Sequence, residues 1–339
     1  MDTTSSPHST HTVCVVGSIN ADLSVATEHL PQPGQTVRGG GLVIGSGGKS
    51  ANQAVAASRL GASVSMVGAV GRDEHGGILR GALEREGIDT SWVQSFSDVA
   101  TGTALITIDH EGENTIVVSP GANGVLCDRD IELAREAIAQ AAVLGLAFEV
   151  DDRVLLTAAR IAHSSGGRVV LNPSPYRTPH PDLLAMVDLL VLNELELELA
   201  DMVGADLAEQ SWEDICRVLF ERFGIRRTVV TAGARGAIVL NHAGVGPDAQ
   251  ADVVRIAPIT VSAVDTTGCG DAFLGAVLAG LADGRTVVDA AHTAAAVAAY
   301  AATRRGTQSS YPTNAALQAL LDSLDHDDVA AASAHCFGR

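Results

Sequence analysis

The strongest constraint on this chain is a rhythm: short aliphatic runs alternate with helical patterns along most of its length. Val13–Gly17 is an apolar strand, Lys49–Leu60 an alanine-rich helix ended by Gly61, and Val64–Val70 the next strand. Val143–Phe148, Arg168–Leu171, Leu189–Leu192 and Thr228–Thr231 read as further buried strands, each followed by turn or helix signals. That order predicts an α/β fold, an open and mostly parallel central sheet flanked by helices. Near the C-terminus, Leu274, Val277, Leu278 and Leu281 recur at helical spacing and define one face of a helix.

Two regions break the rhythm. Residues 20–44 carry Pro31, Pro33 and a glycine cluster, while 101–119 holds two β runs, Gly102–Asp109 and Asn114–Ser119, joined by a His-Glu-Gly-Glu turn. Neither fits a strand–helix–strand unit, so both are expected to form a small β-stranded lid. One domain over residues 12–324 is expected, with tails at 1–11 and 325–339. Hydrophobic residues at 46% and charged residues at 18% suffice for a large core and exclude global disorder.

Composition also restricts partners. A formal charge of −18 argues against nucleic acid, though not against one nucleotide, which backbone N–H groups and a metal ion can hold. No stretch reads as a membrane span or secretory signal; Leu274–Ala282 and Ala290–Ala302 are too short or alanine-rich, and the second contains His292. Five scattered cysteines, without a CxxC pair or Cys/His cluster, point to a reduced, cytoplasmic setting.

Three motifs carry chemistry. Asp265-Thr-Thr-Gly-Cys-Gly-Asp271 precedes the helical pattern above, and small residues there leave first-turn N–H groups open to an anion. Asp271 alone would read as an N-cap. Capping does not need Gly268 and Gly270 beside it, whereas close approach of a phosphoryl group does, so Asp271 is the candidate base. Gly45-Ser-Gly-Gly-Lys-Ser-Ala-Asn52 is neither a Walker A loop, since Val43 stands where glycine is required, nor a dinucleotide fingerprint, since Ser50 does. No suitable strand runs directly into it; it presents Lys49 and Asn52 at a helix start, or is only a structural turn. Gly17-Ser-Ile-Asn20-Ala-Asp22 follows the first strand, where ligands of open sheets sit; its Asn and Asp share a face if extended, and an Asx-rich turn is the alternative. The acid-rich stretch Glu194–Glu221 reads as a solvated helix pair, Glu196 excepted.

Together and in order, these stretches resemble the ribokinase family of carbohydrate kinases. The likeness rests on GSINAD (17–22), GGKSANQAVAASRLGA (47–62), TGTALITIDHEGENTI (101–116), GANG (121–124), LNPSP (171–175), NELE (193–196), TAGARG (231–236), AVDTTGCGDAF (263–273) and TRRGTQSS (303–310), and covers roughly 13–322. The resemblance implies transfer of the ATP γ-phosphoryl group to a primary hydroxyl, D-ribose giving ribose 5-phosphate being the leading case. It implies that Asn20, Asp22, Gly48, Lys49, Asn52 and Glu149 hold the sugar, that Asp271 is the base, and that the N–H groups of Gly268, Cys269 and Gly270 form an anion hole. It assigns phosphate and largely water-mediated Mg²⁺ organisation to Asn193 and Glu196. The nucleotide falls to Thr231, Ala232, Gly233, Ala234, Arg235, Gly236, Gly270 and Ala295. A K⁺ site is implied at Asp265, Ser310 and the carbonyls of Thr267, Ala301, Arg304 and Gly306, and a homodimer through the lid.

Three departures stand out. Ser50 replaces a usual glycine and is expected to tighten the sugar loop; Ala295 replaces a larger residue near adenine. Cys269 replaces alanine, and its thiol beside a helix N-terminus is either acidified and oxidation-sensitive or an inert small group. Another pentose, a hexose or a nucleoside is the nearest competing substrate, yet aromatic residues are only 3% and almost absent from the lid, against a base pocket. A non-catalytic sugar sensor is the competing class, against which the retained Asp271 argues.

Overall fold

The computed structural model describes residues 11–199, 210–244 and 250–323. Nearly all of both expected tails lies outside the described residues. The main sheet uses β1 (Thr12–Val16), β4 (Ser63–Gly71), β5 (Asp89–Phe96), β8 (Val143–Ala147), β9 (Arg168–Asn172), β10 (Leu189–Asn193), β11 (Arg227–Thr231), β12 (Ala237–Ala243) and β13 (Gln250–Ile256). The small sheet uses β2 (Asn20–Ala26), β3 (Val43–Gly47), β6 (Gly102–Ile108) and β7 (Asn114–Ser119).

The main sheet runs β13-β12-β11-β10-β9-β8-β1-β4-β5. It is parallel from β11 to β5, and β12 and β13 add an antiparallel edge. The chain first winds outward from β1 through β4 to β5, then returns to place β8 on the other side of β1. That reversal opens a crevice beyond the carboxyl ends of β1 and β8, where ligands of such sheets bind. Along β1 the side chains alternate between two cores: Val13 and Val15 face one, Cys14 and Val16 the other.

The helix Cys269–Ala282 departs from the one-faced pattern expected of it. Every residue from Asp271 to Ala282 is buried, because the helix lies between the Lys49–Arg59 and Val287–Ala302 helices. Its glycines permit this. A Cβ on Gly275 would stand 2.5 Å from the Gln53 carbonyl oxygen, so only glycine lets the two backbones approach. The same approach delivers Asn52 and Gln53 to Asp271.

The lid is present, with different bounds from those expected. β2 pairs in parallel with β6 and antiparallel with β3, so the third strand reaches Gly47 instead of stopping at 44. A strand therefore does run directly into the Gly48–Lys49 turn, contrary to the sequence reading. It is an antiparallel lid strand, and its alternation is masked by Gly45 and Gly47.

Candidate active site

Asp271 is 7% exposed and lies in the first turn of its helix. It does not cap that helix: Gly268 holds the N-cap position at φ 75° and no side chain caps there. The carboxylate instead accepts from Asn52 Nδ2 at 2.8 Å and from Gln53 Nε2 at 3.5 Å. Gln308 Nε2 donates to Asn52 Oδ1 at 2.9 Å, which fixes the orientation of the Asn52 amide. Arg59, paired with Glu86, donates to the carbonyls of Gln308 and Tyr311 at 2.7 and 2.8 Å and seats this loop on the Lys49–Arg59 helix. Gln53, Gln308 and Arg59 lie in matching stretches but were given no role by the sequence; nothing local marks an amide whose partner lies more than two hundred residues away.

The turn before Asp271 is held with equal care. Tyr311 Oη donates to the Gly268 carbonyl at 3.0 Å, and a Cβ on Gly268 would stand 2.7 Å from that hydroxyl. One expected anion-hole donor is engaged: the Cys269 N–H bonds Thr266 O at 3.2 Å, leaving Gly268 and Gly270. The Cys269 thiol is not acidified. Burial, then the Asp265 and Asp271 carboxylates, push it up to about 11, which supports the inert reading.

A cavity of about 140 Å³ brings Lys49, Asn193, Glu196, Thr231, Gly268, Gly270 and Asp271 together, along with Asn172 and Ser174 of the LNPSP stretch, for which the sequence indicated no role. Lys49 is the chain's only lysine. Burial opposes its charge, but Asp271, Glu149 and Glu196 outweigh that and hold its pKa above the ordinary value. Asn193 and Glu196 form a reciprocal capping box: the Asn193 N–H donates to Glu196 Oε2 at 3.0 Å and the Glu196 N–H to Asn193 Oδ1 at 2.7 Å. The motif thus starts the Glu194–Leu199 helix and still leaves Glu196 Oε1 for the cavity.

On the lid side, Asn20 is 2% exposed and accepts from Asn123 Nδ2 at 2.7 Å. Asn123 also bonds the N–H and C=O of Ile19, making it the unforeseen clamp of the β1–β2 turn. Asn20 and Asp22 share a face of β2, as an extended segment requires, and Asp22 lies over Gly47, where any Cβ would collide with its carboxylate. Burial, then Glu149 and Asp271, push Asp22 up to about 7. Glu149 joins the two sides of the crevice by accepting from the Ser18 hydroxyl and, at 2.9 Å, from the Lys49 N–H. It serves as a remote cap where Gly48, at φ 90°, supplies none. Ser50 is fully buried against Gly17, with its hydroxyl aimed at Val16 O in the space a Gly17 side chain would take.

The remaining expected residues fall around this centre. Ala232 to Gly236 form a tight loop after β11, with a 3-10 turn at Gly233–Arg235, and Arg235 pairs with Glu194. Ala295 packs on the core from the Val287–Ala302 helix and is not part of the cavity. Asp265 accepts from the Thr267 and Gly306 N–H groups, each at 2.9 Å. Those bonds overcome burial and hold its pKa below the usual carboxylate range. Ser310 donates to Thr307 O at 2.7 Å and the Ala301 carbonyl accepts from the Arg304 N–H at 3.0 Å. One carboxylate beside several carbonyls is a hard-oxygen donor set suited to a monovalent cation.

A buried, amide-held carboxylate facing a lysine, a glycine-rich helix start and an acidic capping box is an arrangement for moving a phosphoryl group onto a hydroxyl. The comparisons agree. The model of the pfkB family carbohydrate kinases matches residues 10–314. This chain belongs to that family.

A curated relative, ribokinase of Haemophilus influenzae, is 34% identical over 315 residues, covering 93% of this chain and 99% of that protein. A deoxyribokinase of Salmonella typhi is 33% identical, covering 88% of this chain and 95% of its own. Among solved structures, Arabidopsis thaliana ribokinase complexed with ribose and ATP superposes with a TM-score of 0.81 at 27% identity, covering 92% of this chain and 99% of that one. The protein is thus a carbohydrate kinase on an α/β sheet with a β lid. Among the described residues no helix is long and apolar enough to cross a membrane.

Proposed function

We propose that the chain is a ribokinase, transferring the γ-phosphoryl group of ATP to the 5-hydroxyl of D-ribose to give D-ribose 5-phosphate. The observation that carries this reading is Asp271: buried, held by two amides, and set between the lid residues and the phosphate-sized cavity. Ribose sits under the lid, its hydroxyls met by Asn20, Asp22, Asn52, Glu149 and the Gly48 backbone. Lys49 lies at the junction, between sugar and phosphates. The Thr231–Gly236 loop lines the nucleotide side, with Ala295 behind it.

Asp271 takes the proton from the 5-hydroxyl as its oxygen bonds to the γ-phosphorus and the bond to the bridging oxygen of ADP breaks. The N–H groups of Gly268 and Gly270, with Lys49, stabilise the charge on the transferring group. Asn193 and Glu196 would hold Mg²⁺ through water, and that ion supplies charge neutralisation on the phosphates. Asp265, Ser310 and the carbonyls of Thr267, Ala301, Arg304 and Gly306 would hold K⁺. Asp265 already ties the Thr267 turn to the Gly306 loop, so its neighbourhood governs how rigidly Asp271 is presented.

The lid also supports a homodimer. Ile44, Leu105 and Val117 share one lid face through their register with Leu23 and remain 53%, 51% and 64% exposed. A second copy's lid is the partner we assign to that face, and the free cysteines fit a cytoplasmic location.

The test is a panel of ribose, 2-deoxyribose, fructose and adenosine with Mg-ATP and K⁺. Ribose is expected to give the highest kcat/KM; preference for deoxyribose would move the assignment to the sister activity, and no phosphorylation of any acceptor would overturn it.

A further inference from the structure

The structure carries a second cavity, of about 330 Å³, at the opposite edge of the main sheet. It is lined by the first residues of three strands, Arg168, Leu189 and Arg227, whereas the catalytic cavity takes the last residues of β10 and β11. Along a five-residue strand this separates the two by roughly 15 Å. Its volume lies in the range of small-molecule sites.

Three guanidiniums line it against two carboxylates, a local positive excess on a chain with many more acids than bases. The protein carries −18 overall, and among the described residues nine arginines pair with a carboxylate. Arg168 and Arg227 do not. Among the described residues the Arg227 guanidinium has no partner, and Arg168 reaches only the Leu281 carbonyl, at 3.5 Å. Among the described residues the two carboxylates of the cavity form no ion pair with them: Asp188 accepts the Val169 N–H at 2.8 Å, and Asp252 stands opposite Asn241 on the β12–β13 edge. Arg285, bound to Asp283 at 3.2 Å, adds a third guanidinium.

The same cavity receives the start of the sixteen-residue helix Val287–Ala302. Its N-cap Thr286 satisfies the Asp289 N–H, leaving those of Val287 and Val288, the first two of the helix, open for an anion. Beneath the charges lies an apolar floor containing Val170, Leu189 and Val239, all nearly fully buried. Guanidinium forks and helix N–H groups above such a floor match one chemistry: a phosphoryl anion carried on an apolar or heteroaromatic body. We propose that this cavity is a binding site for a small organic phosphate, separate from the catalytic centre.

The site is also placed to matter. It lies where the helix Cys269–Ala282 ends and Val287–Ala302 begins; the other ends of those helices carry Asp271 and the Ala301–Gly306 loop.

Methyl-labelled intact protein, titrated separately with AMP, ribose 5-phosphate and inorganic phosphate against equal ionic strength of chloride, tests the proposal by NMR. The methyl groups of Val170, Val239 and Val287 should shift saturably with at least AMP, with a dissociation constant of about 1 mM or tighter. The shifts should vanish in Arg168→Gln/Arg227→Gln, while kcat with ribose and ATP stays that of the parent. Shifts with inorganic phosphate alone, confined to Val287 and Val288, would reduce the ligand to a free anion and overturn the organic-phosphate assignment. No saturable shift, or shifts unchanged in the double variant, would overturn the site itself. Because the readout is binding at a distance from Asp271, its failure is distinguishable from failure of the kinase reading.

Discussion

Asp22→Asn is expected to stabilise the ligand-free protein while weakening its grip on the sugar. Asp22 is held at about 7 in the folded chain, against 3.8 for an ordinary aspartate, by burial and by Glu149 and Asp271. The folded state therefore binds the extra proton between those values, and stability is lost as pH rises from about 4 to about 7, then levels off. The full gap corresponds to about 4 kcal/mol, of which solvent screening at the lid edge leaves roughly 2–4 kcal/mol. Asparagine keeps the shape and removes the titration. In urea unfolding of the ligand-free protein the variant should exceed the parent by about 2–4 kcal/mol at about pH 8, and by about two-fifths of that at about pH 5. The KM for ribose should rise about 10- to 100-fold, as expected for a lost charged acceptor. A margin constant across pH, or a variant less stable at pH above about 7, would refute the reasoning.

Three further outcomes follow from the geometry. Gln308→Leu strips the partner from the buried Asn52 carbonyl and frees that amide to turn from Asp271; kcat should fall about 5- to 100-fold with the KM for ATP little changed, and an unchanged kcat would show the amide chain to be incidental. Turnover should be higher in potassium than in sodium, and Asp265→Asn should erase the difference; equal rates in potassium, sodium and ion-depleted buffer would remove the cation from the account. Val117→Lys puts a charge on the exposed lid face, on its edge strand β7, and should shift the protein from dimer to monomer in light scattering, whereas a parent that is already monomeric would dismiss the lid interface.

How much of this was legible beforehand depended on whether a signal was local. The strands were, because a buried parallel strand such as Val143–Ala147 is continuously apolar and must be followed by a crossover. The lid strand β3 was not, because Gly45 and Gly47 carry no side chains to alternate. Asp271 was legible from its glycines, but its role as first-turn acceptor of two amides, instead of a cap, needed the Lys49–Arg59 helix brought against it. Asn123 and Gln308 stayed silent because their partners are 103 and 256 residues away. Cys269 was ambiguous: a helix start can lower a thiol pKa, but its burial beside two carboxylates, which raises it, shows only in the fold. The Asn193–Glu196 motif reads in the sequence as a place for phosphate and Mg²⁺, and its helix-capping role shows only once the hydrogen bonds are seen.

The central claim is that Asp271 is the base that activates the 5-hydroxyl of ribose. Its most direct test is ³¹P NMR of purified parent and Asp271→Asn with ribose, Mg-ATP and K⁺. The parent should form ADP and a phosphate ester on C5 in equal amounts, and the variant, still folded and still binding ribose, should do so at least ~10²-fold more slowly. Ester formation at another carbon, or an undiminished rate in the variant, would contradict it.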